Sequence, residues 1–145
     1  LKCGMDNSLY RSDINTLHDH GYAVQLGHHG APCPSLNEPR PVKFTVAHSN
    51  GVHGTYVSFC NCSGVSRVEQ LMRARLFPAS VEEPETAFTF AVMKEYDLHS
   101  LQAKIAAYDF FLTLCRLTDN VHTHLVNVWR FIKDKIRLCT IFDLN

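Results

Sequence analysis

Two clusters of cysteine and histidine constrain this chain more than any other feature. The first reads Gly27-His28-His29-Gly30-Ala31-Pro32-Cys33-Pro34, and the second reads Phe59-Cys60-Asn61-Cys62. Between them, residues 42–49 and 52–59 are rich in β-branched and aromatic residues and flank Asn50-Gly51, a strong β-hairpin signal. A hairpin returns the chain to where it started, so the sequence predicts that the two clusters meet.

The residue types in these clusters predict a zinc site. A structural zinc ion takes four ligands in a tetrahedron, usually cysteine and histidine. The candidates in and between the clusters are His28, His29, Cys33, His48, His53, Cys60 and Cys62. The other cysteines have different expected roles: Cys115 and Cys139 lie in apolar helical patterns and are expected in the core, and Cys3 could belong to a site further upstream. This pattern favours metal binding in a reducing compartment over a disulfide framework.

Hairpin geometry shortens the ligand list. With Asn50-Gly51 as a two-residue turn, Ser49 would pair with Val52 and His48 with His53. Cys60 lies seven residues after His53, which is about 23 Å along an extended strand at roughly 3.3 Å per residue. His53 and Cys60 therefore cannot easily share one ion. The residues indicate a site made of Cys33, Cys60 and Cys62 with one of His28 or His29. The other two histidines, His48 and His53, are expected to form a partly packed or solvent-facing pair.

The remaining sequence predicts an α+β fold: a small zinc-stapled, treble-clef-like β-hairpin followed by a bundle of about four helices. A short strand is expected at 22–26 and a proline-rich loop at 31–41. The bundle helices are expected at about 66–76, after the capping box Ser66-Arg67-Val68-Glu69, and at 84–96, 101–117 and 124–138, with a short extra helix near 9–17. Ser100 is the expected cap of the 101–117 helix, which should lie at the centre of the helical core. The expected division is 1–20 lead-in, 21–65 zinc-binding region, 66–139 helical subdomain and 140–145 tail.

Composition excludes some classes of function. The formal net charge of the 145 residues is zero, so nucleic-acid binding would depend on local patches. No apolar run approaches the roughly 18 residues of a membrane span, and we expect no secretory signal at the start, where the charged and apolar regions of one are missing. The chain starts at Leu1 without a methionine, and we expect it to be a fragment of something longer.

These residues together resemble the zinc-chelating cysteine-cluster (CxC-type) domain found next to KDZ (Kyakuja-Dileera-Zisupton) transposases, mainly in fungi. The resemblance covers about residues 20–138. Its motifs are Gln25-Leu26-Gly27-His28, Cys33-Pro34, Asn50-Gly51-Val52-His53, Phe59-Cys60-Asn61-Cys62, Gln70-Leu71-Met72-Arg73, Leu76-Phe77-Pro78-Ala79-Ser80, Thr86-Ala87-Phe88-Thr89-Phe90 and Tyr108-Asp109-Phe110-Phe111.

The resemblance implies a zinc site and a place before a transposase catalytic domain. By position, the family's histidine falls on His28, its Cys-Pro on Cys33 and its Cys-x-Cys on Cys60 and Cys62, while a further family histidine falls on His53. The family's upstream cluster is represented only by Cys3, and no catalytic domain follows in this sequence, as expected of a truncated or degenerate copy.

Local charge favours a contribution to DNA binding. Arg67, Arg73 and Arg75 directly follow the second cluster. Arg130, Lys133 and Arg137, with Lys135 nearby, lie at helical spacing opposite the predicted apolar stripe Leu125, Trp129, Ile132 and Ile136. Phosphate contacts need such cations, although solvated helix faces carry them too. The alternative is a docking module, favoured by zero net charge and by aromatic helices, that supports a catalytic domain outside this chain.

Catalysis by this chain is not expected. A catalytic zinc keeps an open position and has an acid or base nearby. Between His28 and Cys62 the only acidic residue is Glu38, and Asp109 and Asp119 have no third acidic partner at a recognisable spacing. The sequence therefore predicts a non-catalytic, nuclear zinc module with DNA and a transposase domain as partners and with no membrane or small-molecule partner.

Overall fold

A computed structural model of the chain describes residues 21–34, 40–62 and 64–120, with the side chain of His29 left out. The helices predicted near 9–17 and at 124–138 lie outside these residues. The predicted strand at 22–26 is present as β1, Val24–Gln25. It is followed by a 3₁₀ turn, His28–Gly30.

The predicted hairpin is present, in a different register. Its strands are β2, Val42–His48, and β3, Gly51–Ser58. His48 pairs with Gly51, so the two loop residues are Ser49 and Asn50, and the predicted pairing of His48 with His53 is wrong. Gly51 begins the strand with φ +139°, and a Cβ there would lie 2.6 Å from Thr118 Oγ1. Glycine at position 51 is therefore accounted for by its conformation and its close approach to Thr118 and not by a place in the turn, which lies one residue earlier than predicted.

The hairpin is the middle of a larger sheet, and this corrects the predicted fold class. Five strands in the order β1-β3-β2-β5-β4 form one mixed sheet, in which β4 is Leu76–Pro78 and β5 is Thr86–Thr89. β1 runs parallel to β3 and β5 runs parallel to β2, while β4 is antiparallel to β5. The broad α+β class holds, but a small treble-clef-like hairpin followed by a bundle of about four helices is wrong.

The first helix of the described residues begins as its capping box predicts. Helix α1 is Arg67–Arg73, and the Ser66 hydroxyl accepts a hydrogen bond from the Glu69 amide at 3.2 Å. It ends earlier than predicted because Arg75 adopts a left-handed conformation with φ +58° and the chain enters β4. Pro78 is tolerated there because β4 is an edge strand.

The prediction of a helix at 84–96 is wrong over its first part. Residues Thr86–Thr89 form β5, and helix α2 then runs through Phe90–Ala103 with the Thr89 hydroxyl as its N-cap. The spacing of Phe88, Val92 and Tyr96 looks helical because all three pack into the same core, the first from a strand and the others from a helix.

The predicted 101–117 helix is also divided differently. Helix α2 continues past Ser100 to Ala103, the chain reverses at Lys104 with φ +50°, and helix α3 is Ala107–Thr118. Leu101 is 79% exposed, so it does not belong to the central apolar arc. The arc is instead supplied by α3, whose buried residues are Phe110, Phe111, Leu114 and Cys115.

The sheet separates two hydrophobic cores. On one face, Phe44 and Val57 pack with Leu71 of α1 and with Phe59. On the other face, Ala47 and Phe88 pack with α2 and α3. Side chains alternate along a strand, so Ala87 and Phe88 of β5 face opposite cores, and both are fully buried. None of the helices within the described ranges is long and apolar enough to span a membrane.

Candidate metal centre

Strand pairing brings the first cluster to the second. β1 pairs in parallel with the last residues of β3, and the Leu26 amide donates to the Ser58 carbonyl at 3.1 Å. The chain then turns at His28, which has φ +47°, into the 3₁₀ turn. The end of β3 leads directly to Cys60. The 3₁₀ turn and the cysteine loop therefore lie side by side at one end of the sheet.

Four side chains converge at this point. The ligand atoms of His28, Cys33, Cys60 and Cys62 all lie within 4.8 Å of one another. Cys60 Sγ is the centre of the group, 3.2 Å from His28 Nε2, 2.9 Å from Cys62 Sγ and 3.6 Å from Cys33 Sγ. His28 Nε2 is 3.0 Å from Cys62 Sγ.

The donor set matches what zinc requires. Bonds of about 2.3 Å to sulfur and about 2.0 Å to nitrogen place tetrahedral ligand atoms about 3.5–3.8 Å apart. Of the separations given above, the 3.6 Å between Cys33 and Cys60 lies in that range and the other three, at 2.9 to 3.2 Å, lie below it, so the side chains would move outward to admit an ion. Three thiols and one imidazole form a closed set of the kind found in structural zinc sites.

The cluster is buried on one side and open on the other. Cys60 is only 4% exposed and Cys33 is half-buried, whereas His28 and Cys62 are exposed. An ion could therefore enter from solvent past His28 and Cys62 while Cys60 anchors it to the core.

Hydrogen bonds within the cluster shift the pKa values of Cys60 and Cys62 in opposite directions. The Cys60 and Cys62 sulfurs share a hydrogen bond of 2.9 Å in which either can be the donor, and the Cys62 backbone amide donates to Cys60. These bonds lower the pKa of Cys60 to about 6. The same hydrogen bond to Cys60 raises the pKa of Cys62 to about 12. Metal ligands are thiolates. The hydrogen bonds at Cys60 therefore favour the thiolate form that a metal ligand needs.

Gln70 of α1 fixes the backbone at Cys60. Its side-chain oxygen accepts from the Cys60 amide at 2.8 Å, and its Nε2 donates to the carbonyls of Cys60 at 2.8 Å and Val65 at 3.0 Å. Gln70 is only 4% exposed. We did not predict this role; the available signal was a glutamine on the apolar side of the helix that follows the cysteines.

Gly27 allows the two segments to approach. A Cβ at this position would lie 2.4 Å from the Cys60 Cβ, closer than side chains tolerate. Its φ of −88° is available to any residue, so glycine is required here for space and not for conformation. Sequence reasoning missed this role, because the close approach is tertiary.

Comparison with known proteins places the chain in a family. The family described as "CxC2 like cysteine cluster associated with KDZ transposases" matches residues 17–122, well over half of the 145 residues. The chain belongs to this family. No curated protein and no solved structure matches it.

Among the residues described for this CxC2-like domain, His28, Cys33, Cys60 and Cys62 are the group of cysteine, histidine or acidic side chains placed to hold a metal. His53 lies near the hairpin tip, where its Nε2 is 2.8 Å from Asn50 Oδ1, and partial burial and nearby His48 lower its pKa. His48 Nδ1 is 2.9 Å from Thr89 Oγ1. Neither joins the cluster.

The other cysteines of the CxC2-like domain are separate from the cluster. Cys115 is fully buried in the core beneath α2 and α3, and burial raises the pKa of its thiol, in agreement with the prediction that it is a core residue. Cys3 and Cys139 lie outside the described residues.

The basic residues predicted to contact DNA are only partly described. Arg67, Arg73 and Arg75 are all exposed on or just after α1. Arg73 forms an ion pair with Glu69 at 2.7 Å, and the Arg67 guanidinium lies 5.3 Å from the centre of the Phe59 ring. Arg130, Lys133 and Arg137 lie outside the described residues.

Proposed function

We propose that this chain is a non-catalytic zinc module of a KDZ transposase-like protein, with His28, Cys33, Cys60 and Cys62 as ligands. The observation that carries the proposal is the convergence of these four side chains within 4.8 Å. Since the protein supplies all four positions of a tetrahedron, a bound zinc ion keeps none for a substrate. The ion would supply folding free energy by joining the 3₁₀ turn to the chain between β3 and α1.

Metal content tests this proposal. The chain is purified without chelator, and zinc is measured for the wild type, for Cys60→Ser and for the control Cys115→Ser, whose sulfur lies in the other core. We expect about one zinc per chain in the wild type and in the control, and little or none in Cys60→Ser. A folded wild type without zinc, or equal zinc in Cys60→Ser, would contradict the proposal.

We further infer that the side of the domain around the cluster and α1 contributes phosphate contacts to DNA. In the described residues up to Arg75 the cations are Arg40, Lys43, Arg67, Arg73 and Arg75, against the single acid Glu69. From Leu76 to Asn120 the balance is reversed, with seven acids against Lys94, Lys104 and Arg116. A chain of zero net charge thus carries a local excess of cations next to the zinc ligands, as phosphate binding requires.

Salt dependence of binding to duplex DNA tests this inference. Arg67→Gln with Arg75→Gln should weaken binding for all DNA sequences and reduce the slope of log affinity against log salt by roughly one for each phosphate that the protein no longer neutralises. The matched control is Arg116→Gln, which removes the charge of an exposed residue on α3. This substitution should change neither the affinity for DNA nor the salt slope. Binding that is absent, or equally sensitive to all three substitutions, would exclude this surface. DNA contact also leads us to propose that the module acts in the nucleus.

A docking role is a second candidate, supported by the exposed apolar side chains of α2. Leu98 is 50% exposed and Leu101 is 79% exposed, on the acidic half of the described chain. A KDZ transposase catalytic domain is the partner we propose for this surface. Titration of purified catalytic domain into the zinc-loaded chain should give binding that Leu101→Asp weakens and Met72→Asp, on α1, does not. Equal weakening by both substitutions would contradict docking through α2.

A further inference from the structure

An open groove lies between α2, α3 and the hairpin tip. Its volume is about 410 Å³, within the range of cavities that bind ligands. Buried Phe110 and Leu114 of α3 form its apolar part, and His99 of α2 packs against Phe110 with ring centres 5.9 Å apart. Leu117, which lines the groove, is 59% exposed. The groove therefore offers apolar surface that the described residues leave in water.

The charge of the groove selects a cationic occupant. Glu95 and Asp109 contribute carboxylates to the lining, against the single ammonium of Lys104. The surrounding segment from Leu76 to Asn120 has the same excess of acids. An occupant with an apolar stripe and a positive net charge would complement both properties.

Residues 121–145 of the same chain have these properties. They carry Arg130, Lys133, Lys135 and Arg137 against Asp134 and Asp143. Their apolar residues Leu125, Trp129, Ile132 and Ile136 recur at helical spacing. They are also tethered close by, because α3 ends at Thr118, one residue after the groove-lining Leu117. A tethered segment binds at high effective concentration, so modest contacts suffice.

We propose that the groove between α2 and α3 is the docking site for residues 121–145, with Trp129 as its apolar anchor. This interaction covers Leu117 and places a segment with four cations and two acids over a groove lined by Glu95 and Asp109. It does not depend on zinc binding, since no ligand of the proposed metal site lines the groove.

The single tryptophan makes the proposal directly measurable. Trp129 is the only tryptophan of the 145 residues, so selectively excited tryptophan fluorescence of the intact, zinc-loaded chain reports on this segment alone. We expect emission at shorter wavelength than that of free N-acetyltryptophanamide, together with reduced quenching by acrylamide. Leu117→Arg should shift the emission to longer wavelength and restore quenching. The matched control is Val81→Arg, which places the same charge at a residue that is 80% exposed and outside the groove.

A second substitution changes residues 121–145 instead of the groove. Ile132→Arg should have the same effect on Trp129 as Leu117→Arg, and far-UV circular dichroism checks that each variant is folded. Wild-type emission like that of the free compound would overturn the proposal, and so would emission unaffected by Leu117→Arg. Emission that moves to shorter wavelength as protein concentration rises would also overturn it, because the occupant would then come from a second copy.

Discussion

At the scale of single residues, Gln70 determines the geometry at Cys60 more directly than any other described residue outside the cluster. Its amide group satisfies the Cys60 amide and two carbonyls while almost fully buried. Gln70→Leu keeps the size of the side chain but leaves these backbone groups without partners. Each unsatisfied buried group costs about 1–3 kcal/mol, so we expect a loss of about 2–4 kcal/mol in the free energy of unfolding.

Chemical denaturation of the zinc-saturated protein measures this loss. Gln102→Leu is the matched control, because Gln102 is exposed on α2 and the same substitution there should change stability by less than about 0.5 kcal/mol. Equal stability of the two variants would show that the hydrogen bonds of Gln70 contribute nothing to the fold.

Substitution of Gly27 tests whether the 3₁₀ turn lies as close to Cys60 as the structure shows. In Gly27→Ala the new Cβ would lie 2.4 Å from the Cys60 Cβ, so the 3₁₀ turn must move away from the cysteines. Such overpacking costs typically about 1–3 kcal/mol, and we expect it to appear as roughly 5- to 100-fold weaker zinc affinity in competition with a chelator. Gly21→Ala is the control, since no atom lies within 4 Å of its Cβ position. Wild-type affinity in Gly27→Ala would refute the contact.

At the scale of secondary structure elements, α3 is joined to the hairpin tip through one hydroxyl. Thr118 Oγ1 accepts from the Val52 amide at 2.6 Å and donates to the Leu114 carbonyl at 3.0 Å. Thr118→Val keeps the shape of the side chain and removes the acceptor. We expect a loss of about 1–3 kcal/mol in the free energy of unfolding, because the Val52 amide loses its partner.

Thr113→Val separates this tertiary bond from a helix effect. Thr113 is exposed, as Thr118 is, and donates to the Asp109 carbonyl of its own helix at 2.9 Å, as Thr118 does to Leu114; only Thr118 of the two also accepts from the Val52 amide. Because valine and threonine have similar helix propensities, we expect little change in thermal unfolding for this control. Equal effects of the two substitutions would mean that the hydroxyl does not join α3 to the hairpin.

Elements specified by local chemistry were predictable from the sequence. The capping box at Ser66 and Glu69 located the start of α1, and Asn50-Gly51 located the hairpin. β5 was not predictable, because Thr86–Thr89 becomes a strand by pairing with β4 and, on its other side, with β2, which is distant in sequence. The prediction of the hairpin register was also wrong. It placed Gly51 in the turn, whereas Gly51 begins β3 and lies against Thr118, a residue far away in the chain.

At the scale of the whole molecule, spacing predicted that the two clusters meet, but it left His28 and His29 as alternatives and did not show how the side chains are supported. The distance between His53 and Cys60 along a strand correctly kept His53 out of the cluster. The path that brings His28 to the cysteines was not predictable, because it depends on the parallel pairing of β1 with β3. The support from Gln70 and Gly27 was missed, since neither residue type is a metal ligand and the contacts of both are tertiary.

The two cores lead to a last prediction, which concerns metal removal. The proposed ligands border the core formed by Phe44, Phe59 and Leu71, while α2 and α3 form the core on the other face of the sheet. If zinc joins the 3₁₀ turn to Cys60 and Cys62, removal of zinc by a chelator should unfold the elements around the core of Phe44, Phe59 and Leu71 before those around the core of α2 and α3. In hydrogen exchange of the chelated chain, we expect amides of 24–34 and of α1 to lose protection first, while those of Val92, Phe111 and Cys115 retain most of theirs. Cys60→Ser without chelator should reproduce this pattern. Cys115→Ser should give the opposite pattern of protection: amides of α3 should exchange faster while zinc stays bound. Uniform loss of protection on chelation would instead mean that the two cores unfold as one unit, and unchanged protection would mean that the cluster contributes no metal-dependent stability.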